Sequence, residues 1–141
     1  MAARGRMIAD ELARELRAAG LSWHPVSGDT FAIDRSELAG DRFTVSEMTI
    51  EPHEFDTGTI LGFNGTTEWA LDSLALEDAL WIPREDQLRE LLGGSFRHLA
   101  RTSDGYRVTI LLAGEDRYFD EEDAATAYGR ALLSLIGATV S

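Results

Sequence analysis

The sequence predicts an α+β protein, with an antiparallel sheet built from hairpins and a C-terminal meander, packed against about three helices. Several stretches in which apolar and polar residues alternate follow one another along the chain. Tight turns connect them, and helices do not come between each stretch and the next. Amphipathic helical patterns stand before, between and after these stretches. The length of 141 residues with 44% hydrophobic composition fits one globular domain over 1–141, with 7–71 and 83–137 as possible halves.

The first helix is predicted over residues 7–19, where Ile8, Leu12 and Leu16 recur at helical spacing. Gly20 suits the left-handed position after a helix, and Leu21 suits the apolar contact that follows it. Strands of period two come next, at 31–33, 43–45 and 59–63, and a phase change predicts a bulge at 46–47. Asn64-Gly65 predicts a type I′ hairpin whose partner strand is 66–71.

Residues 72–82 are ambiguous in sequence: Asp72-Ser73 suits the cap of a short helical turn through Leu74, Leu76 and Leu80, whereas Trp81-Ile82 is expected to be extended because Pro83 follows. A helix over 83–92 is predicted to end at Gly93-Gly94. The meander then runs through 96–101, 106–113 and 117–119, with turns at 103–105 and 114–116. A last helix is expected to be capped by Asp120 and to end at Gly137. Its predicted buried face consists of Ala124, Tyr128, Ala131, Leu132, Leu135 and Ile136.

The composition excludes several kinds of chemistry. All 13 basic residues are arginine, so the chain has no Schiff-base amine and no P-loop lysine for a nucleotide. It has no cysteine, which excludes thiol nucleophiles and thiolate metal sites. The net charge of −12 disfavours binding to nucleic-acid phosphates. No secretory or membrane-spanning stretch is evident, so we expect a cytoplasmic protein without a membrane and without a cofactor.

The densest polar cluster is the segment 51–56, and it has two interpretations. Glu51, His53 and Asp56 are candidate ligands of a small molecule or a divalent metal. The alternative is a solvated loop between strands. His98 alternates with Phe96 and Ala100, which indicates a hydrogen-bonded packing residue on that side of a strand.

The tryptophans are candidate interaction residues. Trp23, Trp69 and Trp81 serve either as core anchors or as contacts for a partner or ligand, and Trp69 lies beside Glu68 just after the predicted hairpin turn. Three arginines fall on neighbouring predicted strands. Arg97, Arg101 and Arg107 form either a small anion-binding face or, as we expect, ion pairs with the acidic excess.

Two segments carry a resemblance. Residues 62–72, GFNGTTEWALD, and 81–92, WIPREDQLRELL, resemble a family of small uncharacterised proteins from high-GC actinobacteria. The likeness extends over most of the chain. Some members are labelled pilus assembly proteins; that label implies a MinD-like ATPase with a P-loop lysine, a residue this sequence lacks.

The leading functional hypothesis is a non-enzymatic module for protein–protein interaction or assembly, acting on a protein partner or as a homodimer. Abundant aromatic residues and strands that must be covered or paired favour it. The first alternative is a ligand or metal site at Glu51, His53 and Asp56. The second is an acidic decoy or immunity-type binder of a basic partner, which would show strongly salt-sensitive binding.

Overall fold

The computed structural model describes residues 7–33, 41–45, 50–55, 58–63, 73–75 and 78–140. Its elements are α1 (Asp10–Ala19), β1 (Thr30–Ile33), β2 (Arg42–Thr44), β3 (Ile50–Phe55), β4 (Gly58–Phe63), β5 (Ser73–Ala75), β6 (Ala79–Ile82), α2 (Glu85–Leu92), a 3-10 turn (Gly93–Ser95), β7 (Phe96–Arg101), β8 (Tyr106–Leu112), β9 (Glu115–Glu121) and α3 (Ala124–Val140). The described strands form three antiparallel sheets, ordered β2–β1–β6, β3–β4–β5 and β7–β8–β9. The α+β class is confirmed, but the strands are divided among three sheets.

The chain divides into two compact units. Unit 1 consists of Met1–Ser22 together with Pro83–Ser141, and unit 2 consists of Trp23–Ile82. The prediction of a single domain stays a prediction.

Helix α3 is the centre of unit 1, where it packs against α1, α2, β8 and β9. Tyr128 on α3 is 1% exposed, and the centre of its ring lies 5.7 Å from the centre of the Phe96 ring. Gly129 allows α1 to come close, because a Cβ built at this position would lie 2.7 Å from the Cδ2 atom of Leu12. The predicted meander β7–β8–β9 is confirmed, and α3 covers one of its two faces.

The end of α1 follows the sequence prediction in detail. Gly20 has a φ of 119°, and its N–H donates to the Arg17 carbonyl. The Leu21 N–H donates to the Leu16 carbonyl at 3.0 Å. This pair of hydrogen bonds is the Schellman arrangement, which satisfies the last carbonyls of a helix. The predicted left-handed glycine is therefore confirmed.

Both ends of α3 differ from the prediction. Its cap is Asp123, whose Oδ1 accepts the Thr126 N–H at 2.8 Å, whereas Asp120 belongs to β9. Gly137 does not end the helix, which continues to Val140. The turn before β9 also lies earlier than predicted. It is formed by Ala113 and Gly114, which both have positive φ, as a type I′ turn requires.

Unit 2 contains the other two sheets. The secondary structure after residue 72 was ambiguous in sequence. The chain is extended at Ser73–Ala75, where Leu74 pairs with Leu61 of β4. The predicted helical turn is therefore wrong at Leu74 and Leu80, which both lie on strands, and the predicted extended Trp81-Ile82 is confirmed. The predicted bulge at 46–47 and the hairpin at 64–71 lie outside the described residues.

Candidate interaction surface

The β7–β8–β9 sheet has one covered face and one open face. On β8, Val108 and Ile110 are fully buried on the side where α3 packs. Successive side chains of a strand point to opposite faces, so Arg107, Thr109 and Leu111 belong to the other side. The pairing register extends this open face across β7 and β9. The open face consists of His98, Ala100, Arg107, Thr109, Leu111, Asp116, Tyr118 and Asp120.

Tyr118 is the prominent apolar group on the open face. It is 59% exposed, the largest value among the exposed large hydrophobic side chains of the described residues. The Cζ atom of Arg107 lies 5.1 Å from the centre of its ring, within the range of a cation–π interaction. The ring is thus supported on the β8 side and accessible elsewhere.

Arg107 also forms a two-point ion pair with Asp120, directly across the strands. Its Nε donates to Oδ1 at 2.7 Å and its Nη2 donates to Oδ2 at 2.9 Å. The hydrogen bond from the guanidinium holds the pKa of the Asp120 carboxyl below its usual value, and the carboxylate raises the pKa of Arg107. Because a two-point contact restricts the guanidinium plane, this pair orients the arginine over Tyr118.

One polar group lies enclosed beneath the open face. Thr109 is 1% exposed and pairs with His98 on one side and Tyr118 on the other. Within the part of the chain that the structure describes, its Oγ1 has no hydrogen-bond partner. Such a group destabilises the fold, since its hydration is lost without replacement.

The two outer strands of this sheet carry charges of opposite sign. The basic edge, β7, carries Arg97, His98 and Arg101, all exposed. The acidic edge, β9, carries Glu115, Asp116, Asp120 and Glu121 against the single Arg117. With a neutral histidine, the formal charges are +2 on β7 and −3 on β9.

The arginines predicted to form ion pairs divide into two groups. Arg107 pairs with Asp120, as predicted. Arg97 and Arg101 form no ion pair with any described residue, and the Cζ atom of Arg101 lies instead 5.7 Å from the centre of the Tyr106 ring. For these two residues the expectation of ion pairing was wrong, although the chain has 25 acidic side chains.

Two predicted interaction residues lie together in unit 2. Trp23 is 8% exposed, and its Nε1 donates to the buried Asp29 carboxylate at 2.9 Å. Trp81 is half-buried and stacks on Trp23 with ring centres 6.3 Å apart. Both pack with Phe31 in one hydrophobic cluster. Trp23 therefore occupies a core position, the first of its two interpretations in sequence. The Trp81 Nε1 is enclosed and has no hydrogen-bond partner among the described residues.

Of the remaining predicted site residues, the structure describes only Glu51 and His53. Glu51 and His53 lie on β3, opposite Gly62 and Ile60 of β4, so their segment is a strand and the loop interpretation is wrong. Asp56, Glu68 and Trp69 lie outside the described residues. The described part of the chain contains no group of three acidic or histidine side chains able to hold a metal.

His98 is exposed on β7, so its assignment as a packing residue was wrong. The assignment assumed that Phe96, His98 and Ala100 point to one face of a regular strand. A register irregularity between Phe96 and His98 breaks this alternation. Tyr118 was missed as a candidate. Its signal in the sequence is its phase, because it alternates with Asp116 and Asp120 while Phe119 takes the opposite face.

A shallow depression of about 480 Å³ adjoins the open face. It lies between the 102–105 turn and the end of β9 and contains the Arg107–Asp120 pair. Asp104, Glu121 and Glu122 add acidic groups to its wall. The Thr102 Oγ1 accepts the Gly105 N–H at 3.0 Å and holds the turn in shape.

These observations define an α+β protein with an open-faced C-terminal meander. No family model, no curated protein and no solved structure matches the chain. The resemblance to the actinobacterial family stays a prediction. Among the helices of the described residues, none is long and apolar enough to cross a bilayer. The cytoplasmic location also stays a prediction.

Proposed function

We propose that this protein is a non-enzymatic protein–protein interaction module that self-associates through the open face of its β7–β8–β9 sheet. The observation that carries the proposal is Tyr118, which stands 59% exposed on an edge strand with Arg107 placed against one side of its ring.

The combination of residues supports this function. Tyrosine and arginine are, with tryptophan, the residue types enriched among the strongest contributors to protein interfaces, because they bury a large area and also form polar contacts. An orientation that exists before binding reduces the entropy lost on association. The two hydrogen bonds of Arg107 to Asp120 supply that orientation here.

The chemistry of the chain agrees with a contact function. The sequence contains neither lysine nor cysteine, two residue types that often serve as nucleophiles in enzymes. The exposed groups of the open face lie on the surface of a sheet, where a partner protein can contact them. The face combines one large ring with Arg107, Asp116 and Asp120. That mixture of an apolar centre with charged neighbours is typical of a protein contact surface.

The test is sedimentation velocity over a range from micromolar to millimolar protein. We expect the wild type to form larger species as concentration rises and Tyr118→Ser to form them only at higher concentration. Tyr118→Phe keeps the ring and should behave as the wild type. Leu91→Ser is the matched control, because Leu91 is a 41%-exposed apolar residue that belongs to α2 and not to the sheet. A wild type that stays monomeric over the whole range would overturn the proposal.

A further inference from the structure

We propose that the basic edge of one copy adds to the acidic edge of a second copy, so that β7 of one molecule continues the β7–β8–β9 sheet of the next. This inference rests on the proposed function and names the partner, a second copy of this chain. The juxtaposition that carries it is the presence of two oppositely charged outer strands on one sheet.

The backbone of both outer strands suits the addition of a strand. Among the described strands, β7 and β9 each have β8 as their only neighbour. They contain six and seven residues, long enough for a ladder of hydrogen bonds. Both are antiparallel to β8, so they run in the same direction. A second copy displaced sideways therefore places its β7 parallel to β9 of the first.

The charges select which edges meet. Pairing β9 with β9 would bring two strands of formal charge −3 together, and pairing β7 with β7 would do the same for two strands of +2. Like charges on facing strands destabilise a sheet, and opposite charges stabilise it. Arg97 and Arg101 have no acidic partner among the described residues of their own chain, so a neighbouring copy is the available source of one.

The register of the sheet brings suitable side chains together. Arg101 and Glu121 both pair with Tyr106, and His98 and Tyr118 both pair with Thr109. If the second copy continues the sheet in the same register, its Arg101 lies beside Glu121 of the first copy and its His98 lies beside Tyr118 of the first copy. The added strand would then cover the side of the tyrosine ring opposite Arg107. The exposed ring and the two arginines that form no ion pair with a described residue thus have one common explanation.

The experiment reverses the charge of each edge. In Arg97→Glu/Arg101→Glu both edges are acidic, and in Asp116→Arg/Glu121→Arg both are basic. We expect each variant alone to associate at least about tenfold more weakly than the wild type, or ~1.4 kcal/mol. An equimolar mixture should recover the association, because each variant then supplies the edge that the other needs. Sedimentation velocity measures both effects, and circular dichroism checks that the variants are folded.

Matched controls carry the same charge changes on helices. Arg14→Glu/Arg17→Glu changes the net charge as the first variant does, and Glu11→Arg/Glu90→Arg changes it as the second does; all four positions are exposed. These controls should associate nearly as the wild type does.

The outcomes separate the inference from the proposed function. A mixture that fails to associate, or an edge variant that associates alone as well as the wild type, overturns the edge pairing. If Tyr118→Ser weakens association while the charge reversals leave it unchanged, the contact function stands and this inference is wrong. If the wild type itself does not associate, the proposed function fails.

Discussion

Arg107 joins two interactions on the open face. Its guanidinium donates two hydrogen bonds to Asp120 and lies 5.1 Å from the centre of the Tyr118 ring. A lysine at this position would keep the charge but could not make the planar two-point contact. The identity of this one residue therefore determines how the exposed ring is held.

The Arg107–Asp120 pair predicts a dependence of stability on pH. The pKa of Asp120 is lowered in the folded protein by the hydrogen bond from Arg107, so the stabilisation is complete above the pKa of the unfolded chain. It is lost as the pH falls through the folded-state pKa. We expect Asp120→Asn to remove this part of the acid sensitivity, measured as the urea midpoint from neutral pH into the acid range. Asp116→Asn, on the same strand, is the control, and an equal flattening in both variants would contradict the prediction.

The β8–β9 hairpin contains a residue in an unfavourable conformation. Ala113 has a φ of 54° and Gly114 a φ of 83°, so both central residues of the turn are left-handed. Glycine adopts this conformation without strain, whereas alanine does so at a cost of about 1 kcal/mol. The turn connects β8 and β9, the two longest strands of the open-faced sheet, so relieving its strain should stabilise this hairpin.

The hairpin therefore predicts a stabilising substitution. Asn-Gly is the preferred pair for a type I′ turn, so Ala113→Asn should raise the free energy of unfolding by about 0.5–1 kcal/mol. Ala113→Val should lower it, because a β-branched side chain resists positive φ. Urea unfolding followed by circular dichroism measures both changes. A midpoint for Ala113→Asn at or below that of the wild type would show that the turn is not strained.

At the scale of elements, the sequence predicts structure well where one local interaction decides. The end of α1 depends on a single glycine and on two hydrogen bonds, and it was predicted correctly. The cap of α3 was not, because Asp120 and Asp123 have similar local patterns. What separates them is the pairing of Asp120 with a residue thirteen positions earlier in the chain.

The candidate site was less predictable for the same reason. Periodicity places Tyr118 on one face of β9, but it does not show which face α3 covers. Likewise, composition suggests that every arginine of an acidic chain finds a partner. Arg97 and Arg101 form no ion pair with a described residue, because an outer strand has neighbours on one side only. Sheet order is a long-range property, and the local pattern does not contain it.

At the scale of the whole molecule, the formal charge of −12 and the opposite charges of the two edges predict opposite effects of salt on folding and on association. Screening reduces the repulsion among the acidic groups, so added sodium chloride should raise the unfolding temperature. The same screening weakens attraction between the basic and acidic edges, so it should lower the fraction of associated protein. Thermal unfolding of dilute protein and sedimentation of concentrated protein, from about 0.05 M to about 0.5 M salt, measure the two effects. Effects of equal sign would contradict the assignment of charge to the interface.

The placement of β7 and β9 at opposite borders of one sheet has a consequence for stoichiometry. A head-to-tail contact uses different surfaces on its two sides, so each molecule that joins leaves a fresh border for the next, until a ring closes or growth is blocked. A molecule altered at β7 alone still offers an intact β9, and it joins a growing oligomer at one end only. Such a molecule acts as a terminator. A small admixture of it would shorten the oligomers formed by a large excess of unaltered protein.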